Sequence, residues 1–244
     1  VYFALPPKLT ISTVDTLRPG DLPPDTQLVL EKPFGTDQVS ARELNRVLES
    51  LVPEEDIFRV DHFLGMTTVM NIVGMRFSNR LLEPIWNSLH IEKMEIVFDE
   101  QLALEGRAKY YDASGALEDM IQSHLLHIMA FMAIGPPASL GERDLRDLVA
   151  ATLRAASVPG EFHRSTRRAR YAAGVIDGRE VQAYSDSPGV DPARNTETLA
   201  EIEIAINNDR WAGVPFILRS GKAQARTRKE AVVTFRKVNH LPDG

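Results

Sequence analysis

The stretch LAEIEIAI, residues 199–206, constrains the fold more than any other. Ile202, Ile204 and Ile206 alternate with Glu201 and Glu203, a period of two that suits a β-strand with one apolar and one polar face. Two further strand-like runs follow it, PFILRS and EAVVTFRK. Earlier in the chain, HIEKMEIVFDE (90–100) sets Met94, Ile96 and Phe98 against Glu95, Val97 and Asp99. Strands of this kind predict an antiparallel sheet with one covered face. Helical spacing near 116–134 and 142–156 supplies the cover.

The first sixty residues read differently. VYFAL is a short buried-strand pattern broken by Pro6 and Pro7, and RPGDLPPD (18–25) is a turn-rich loop. TQLVLE (26–31) predicts a second buried strand. A helix follows over 38–51, with Val39, Leu44, Val47, Leu48 and Leu51 at helical spacing, and IFRV predicts a third strand. Strand–helix–strand order predicts the end of a parallel α/β layer. A helix is expected over 66–78. The predicted class is therefore α/β at residues 1–60, then an α+β domain at 61–244 with a mainly antiparallel sheet covered by helices.

Composition removes several function classes. The net charge of −6 argues against general nucleic-acid binding. No cysteine is present, which excludes disulfides and thiolate metal sites and fits a reducing compartment. No apolar run reaches membrane-spanning length, and VYFALPP lacks the length and basic flank of a signal sequence. The chain begins without methionine and stops just after a strand, so a fragment of a longer protein is expected.

RVDHFLGM (59–66) places Asp61 beside His62 at the predicted boundary between the two parts, where ligand sites often lie. His124 shares a helical stripe with Leu117, Met120, Ile121, Leu125, Ile128 and Met132. A histidine on such a stripe is more often a packed core residue than a catalyst. With a carboxylate on its other nitrogen it would accept a proton near neutral pH, and Asp61 and Asp119 are both available. Glu100 has the parity of Met94, Ile96 and Phe98; it points inward if the strand continues and is solvated if the strand has ended. Lys32 ends a buried strand, where α/β ligand sites sit, although many Lys–Pro pairs are plain turns. Lys222 follows a glycine in RSGK and would suit an anion, but the P-loop glycine spacing is missing. HRSTRRAR (163–170) and KAQARTRK (222–229) read as solvated basic runs or as phosphate sites.

Together EKPFG, FRVDHFLG, NRLLEPIWN, YYDASGALEDMIQSHLL and NTETLAEIEIAINNDRWAGVPFILRSGK resemble the glucose-6-phosphate dehydrogenase family, in family order and nearly end to end. The resemblance implies that residues 1–60 are the C-terminal part of a Rossmann-like dinucleotide-binding domain. It implies that 61–244 form a substrate-binding domain, C-terminally incomplete. It implies an NADP-dependent oxidation of the C1 hydroxyl of glucose 6-phosphate to the lactone, in the cytoplasm. The full-length form is expected to be a homo-oligomer, dimer or tetramer, with no nucleic-acid or membrane partner. His124 matches the general base and Asp61 the carboxylate that orients it. His62 matches a phosphate ligand. Glu100, Asp119 and Lys222 match residues that bind the sugar. Lys32 matches the lysine between cofactor and sugar, and Pro33, also on the cofactor side, is expected to be cis. The family's N-terminal glycine-rich turn is missing, so the chain alone is expected not to turn over.

The departures lie around the phosphate. Phe63 stands where the family has tyrosine, Met66 where it has lysine, and Thr227 where a second cation is usual, flanked by Arg226 and Arg228. Two alternatives follow from them: a catalytically degenerate relative with a structural role, and an oxidoreductase for another sugar.

Overall fold

The computed structural model describes residues 1–5, 7–32, 34–35 and 37–240, without the side chains of 7 and 8. The chain forms two compact units, Val1–Met66 and Thr67–Gly244.

In the first unit β1 (Tyr2–Phe3), β2 (Leu28–Glu31) and β3 (Ile57–Val60) pair in that order, all parallel. Helix α1 (Pro7–Thr16), absent from the sequence reading, and α2 (Gln38–Leu51) connect them. Asp37 caps α2: its carboxylate accepts the Ser40 N–H at 2.7 Å, and its own N–H donates to the Ser40 hydroxyl at 3.1 Å. Leu44 and Leu48 of α2 pack with Phe3, Val14, Leu28, Leu30, Val52 and Ile57. Val39, which the spacing placed with them, lies in the first turn and is exposed.

The second unit opens with α3 (Thr67–Phe77) and β4 (Ile91–Asp99). A long helical stretch follows: α4 (Ala108–Ala116), a segment wound with wider π turns (Leu117–Leu125), and α5 (Leu126–Ala133). Next come α6 (Glu142–Ala155), β5 (Ala156–Ser157) and β6 (Thr166–Ala169). A hairpin of β7 (Gly174–Ile176) and β8 (Arg179–Val181) turns through Asp177 and Gly178, both at positive φ, as a two-residue turn requires. The chain continues through β9 (Leu199–Ile206), β10 (Pro215–Gly221) and β11 (Arg228–Phe235).

These strands form a sheet of order β11-β4-β10-β9-β5, with β6 also on β9. The pairings are antiparallel except β4 with β10, which is parallel. The helices between β4 and β10 supply the long crossover that a parallel pair needs. Ile202, Ile204 and Ile206 are buried as their alternation requires. Strand β4 departs from its predicted parity. Val97 and Asp99 are buried and Phe98 is half-exposed, because the far face is closed there by Arg219, whose Nε donates to both Asp99 oxygens at 3.0 and 3.2 Å.

The helix that ends at Ala133 is closed by side chains from far away in sequence. A helix leaves its last carbonyls without partners. Here Arg76 donates to the carbonyls of Phe131 at 3.0 Å and Ile134 at 2.7 Å. The indoles of Trp86 and Trp211 take those of Met132 and Ala133, each at 2.7 Å. Arg76 is fully buried, stacked on Phe77 and Trp86, and pairs with Glu83, which Arg210 also holds. Burial pulls its pKa down to about 10, so it stays cationic at neutral pH. A cation at this end also complements the helix dipole.

Arg76→Met leaves two of these carbonyls unpaired and is expected to cost roughly 3–5 kcal/mol in chemical denaturation. Arg210→Met, at a partly exposed site, is expected to cost about 1 kcal/mol. Equal losses would show that the helix cap is not the source of the stability.

Candidate active site

The first unit presents its candidates at the carboxyl edge of the parallel sheet. In β2 and β3, Glu31 pairs with Val60, so Lys32 and Asp61 are the next residues on adjacent parallel strands. Lys32 Nζ meets Asp61 Oδ2 at 2.6 Å, with only 3% of the Asp61 side chain exposed. The other Asp61 oxygen accepts the Phe63 N–H at 3.0 Å. The chain then winds through successive turns, Leu64, Gly65 and Met66 donating back to the carbonyls of Asp61, His62 and Phe63. His62 is exposed on this turn and Met66 partly so, while Phe63 is buried with its ring edge-on to His62, centroids 4.7 Å apart. Pro33 lies outside the described residues.

In the second unit Glu100, Lys222, Asp119 and His124 lie on or just past three elements. Glu100 lies just past β4, its N–H on the Gly221 carbonyl at 2.8 Å and its own carbonyl accepting Gln224 N–H at 2.9 Å. The Lys222 ammonium donates to Glu100 Oε2 at 2.9 Å and faces the Tyr111 ring at 5.2 Å. Lys222 is nine-tenths buried, a position that its charge tolerates because a carboxylate and an aromatic face replace water. The two readings of Glu100 thus meet in between: the strand has ended, yet the carboxylate is half-buried and paired.

Asp119 and His124 belong to the π-wound segment. They are five residues apart, and an ordinary α-helix at 3.6 residues per turn would point them about 140° apart. Winding with i→i+5 bonds brings residues five apart closer to one face, so the two side chains diverge less than they would on an α-helix. His124 is buried, as are Met120, Ile121, Leu125, Ile128 and Met132 of its stripe. Asp119 is half-buried and accepts the Tyr110 hydroxyl at 3.2 Å. The sequence predicted a helix here but not its winding, nor the break at Gly115 (φ +66°), which separates it from α4. Asp61 and His124 fall in different units.

The basic runs are largely taken up by acidic partners. Arg167 pairs with Glu201 and Arg168 with Glu197. Arg228 holds Glu230. Lys229 lies over the Phe98 ring and 3.7 Å from Glu100. Thr227 turns its hydroxyl to the Gln101 N–H at 3.4 Å. Tyr110, Tyr111, Arg76 and Glu197 carry much of this geometry, and the sequence reading singled out none of them. The doubled tyrosine before a glycine, ahead of an apolar stripe, was the available signal.

A parallel α/β unit with a lysine and a carboxylate at its strand ends is thus followed by a mixed α+β unit with a Lys–Glu pair at the ends of two parallel strands. Residues 1–71 match the family model for the glucose-6-phosphate dehydrogenase NAD binding domain, and residues 73–242 match that for the glucose-6-phosphate dehydrogenase C-terminal domain. The chain belongs to the glucose-6-phosphate dehydrogenase family. It is 39% identical to glucose-6-phosphate 1-dehydrogenase 2 of Mycobacterium tuberculosis, over 99% of this chain and 48% of that protein. It is 41% identical to glucose-6-phosphate 1-dehydrogenase of Rhizobium meliloti, over 98% and 49%. A solved glucose-6-phosphate dehydrogenase in complex with its substrate glucose-6-phosphate superimposes with a TM-score of 0.88 at 34% identity, covering 99% of this chain and 49% of that one. The chain spans about half the length of the curated relatives it matches.

All five tyrosines hold their protons above the ordinary value of 10.0: Tyr2 through its bond to Glu31, and Tyr110, Tyr111, Tyr171 and Tyr184 first through burial. A pKa raised by folding stabilises the protein below the unfolded value and ceases to as pH rises beyond it. Ultraviolet titration is therefore expected to show less than half of the tyrosine signal as phenolate at pH 10 in the folded protein, with stability falling from about pH 10 upward. A half-titrated spectrum at that pH would contradict the burial described.

Proposed function

We propose that this chain carries the sugar-binding and proton-accepting part of an NADP-dependent glucose-6-phosphate dehydrogenase. The observation that carries the reading is the match of both family models, in order, across nearly the whole chain. The geometry within each unit supports it. His124, held on a packed helix, takes the proton from the C1 hydroxyl of glucose 6-phosphate. Asp61 serves as the carboxylate that stabilises the resulting imidazolium, a role that rests on the family resemblance. Asp119, Glu100 and Lys222 hold sugar hydroxyls: a carboxylate accepts from them, and Lys222 can share its donors between Glu100 and the ligand. His62 binds the phosphate, and phosphate binding far from C1 helps to position the reacting carbon.

NADP, when bound, would supply the hydride acceptor for C1. Lys32 suits the cofactor side because it stands at the carboxyl end of a parallel strand, where α/β proteins bind such groups. Its ammonium pairs with the Asp61 carboxylate at 2.6 Å. Pro33 is proposed beside it. A homo-oligomeric, cytoplasmic protein is proposed on the family resemblance alone.

A second reading, loss of sugar-phosphate binding, draws on one specific observation. Phe63 is buried without a phenol, and Met66 is partly exposed without a charge. One missing charge-assisted contact should weaken phosphate binding by about one to two decades without abolishing it. Calorimetry with glucose 6-phosphate is therefore expected to show binding by this chain, and about 10–100-fold tighter binding by Met66→Lys at low salt. Absence of binding by both folded proteins would favour the degenerate relative. Equal affinity for unphosphorylated glucose would favour the other-sugar alternative.

A further inference from the structure

Glu197 takes no part in the proposed chemistry, yet its carboxylate is almost wholly buried at the start of the helix that bears Asp119 and His124. One of its oxygens accepts the Leu117 N–H at 3.0 Å across eighty residues of sequence. The other accepts Arg168 through Nε at 3.0 Å and its terminal nitrogen at 2.5 Å. The Glu197 carbonyl also takes the Ala116 N–H, at 3.2 Å. The helix has no capping side chain of its own. A single residue from a distant loop therefore satisfies two donors that a helix N-terminus would otherwise leave open, and adds a negative charge where the helix dipole favours one.

The neighbourhood is built around this contact. Gly115 turns the chain at φ +66°, and a Cβ there would lie 2.6 Å from the Glu197 carboxylate oxygen and 3.1 Å from the Thr196 methyl. Glycine is needed on both counts. Thr196 donates to the Asp112 carbonyl at 2.8 Å. The buried Asp112 carboxylate in turn takes the Tyr184 hydroxyl at 2.6 Å and the Asp191 N–H at 3.0 Å. Residues 184–198 thus strap the break between α4 and the π-wound segment. Asp119 lies two residues beyond Leu117, so a shift of this helix start moves it directly.

We propose that Glu197 is a positioning residue, clamping the start of the π-wound helix so that Asp119 and His124 keep the orientation that sugar binding requires. The inference rests on the sugar-phosphate reading above. Glu197→Gln keeps an acceptor of the same reach, whereas Glu197→Asp keeps the charge but shortens the side chain. Glu197→Ala removes both.

The test combines calorimetry with glucose 6-phosphate and amide hydrogen exchange on the wild-type chain and the three variants. Glu197→Ala and Glu197→Asp are expected to lose about tenfold in affinity, with Glu197→Gln within about threefold of wild type. Exchange should quicken at residues 117–124 in the first two and stay unchanged across β9 and β10. If Glu197→Ala does not fold, Glu197→Asp decides. Folded variants that bind as wild type does, or a Gln variant that loses as much as Asp, would overturn the clamp. If the wild-type chain binds no sugar phosphate, the functional reading fails separately. Exchange at 117–124 then decides the clamp, and unchanged rates would overturn it.

Discussion

The second unit depends on how one helix is held at its ends. The run from Leu117 to Ala133 carries two of the candidate site residues; no side chain of its own caps its start, and at its end the Ile134 N–H turns back to the Ala130 carbonyl. Its last carbonyls are taken by Arg76, Trp86 and Trp211, and its first donors by Glu197. A buried cation stands at one end and a buried anion at the other, the order that the helix dipole favours. Each charge is also paired, Arg76 with Glu83 and Glu197 with Arg168, which keeps the desolvation cost of such burial tolerable. Trp211 ties this helix to the sheet as well, its ring edge-on to Phe216 of β10 at 5.3 Å.

The sheet performs a matching task for Lys222 and Glu100. Because β4 and β10 run parallel with Gly221 opposite Asp99, the residues that follow them, Lys222 and Glu100, leave the sheet side by side. Their ion pair is a consequence of register. In the first unit the same logic applies to Lys32 and Asp61 beyond β2 and β3. Each unit thus offers a lysine–carboxylate pair at the carboxyl ends of adjacent parallel strands, a geometry that presents a positive and a negative group to a polar ligand.

Much of this was legible in the sequence, for identifiable reasons. LAEIEIAI was readable because half-buried strands must alternate, and 199–206 is the strand found. Helix 38–51 was readable because its apolar spacing is helical, and the structure adds the Asp37 cap that opens it. The stripe around His124 named the buried face correctly. What escaped depends on partners distant in the chain. Asp99 was assigned outward because parity cannot anticipate Arg219, and the β4–β10 direction cannot be read from either strand alone. The π winding is invisible to a 3.6-residue template, which accepts the same apolar residues. Nothing in the local sequence marks Arg76 or Glu197, whose roles come from partners distant in the chain.

The central claim is that the face bearing His124 and Asp119 receives a sugar phosphate. Histidine-labelled NMR tests it directly: the His124 ring resonance, assigned by its loss in His124→Gln, is followed as glucose 6-phosphate is added. The account predicts a saturable shift of that resonance, weakened in Lys222→Met. Saturable binding that leaves His124 unmoved would place the ligand elsewhere and contradict the account.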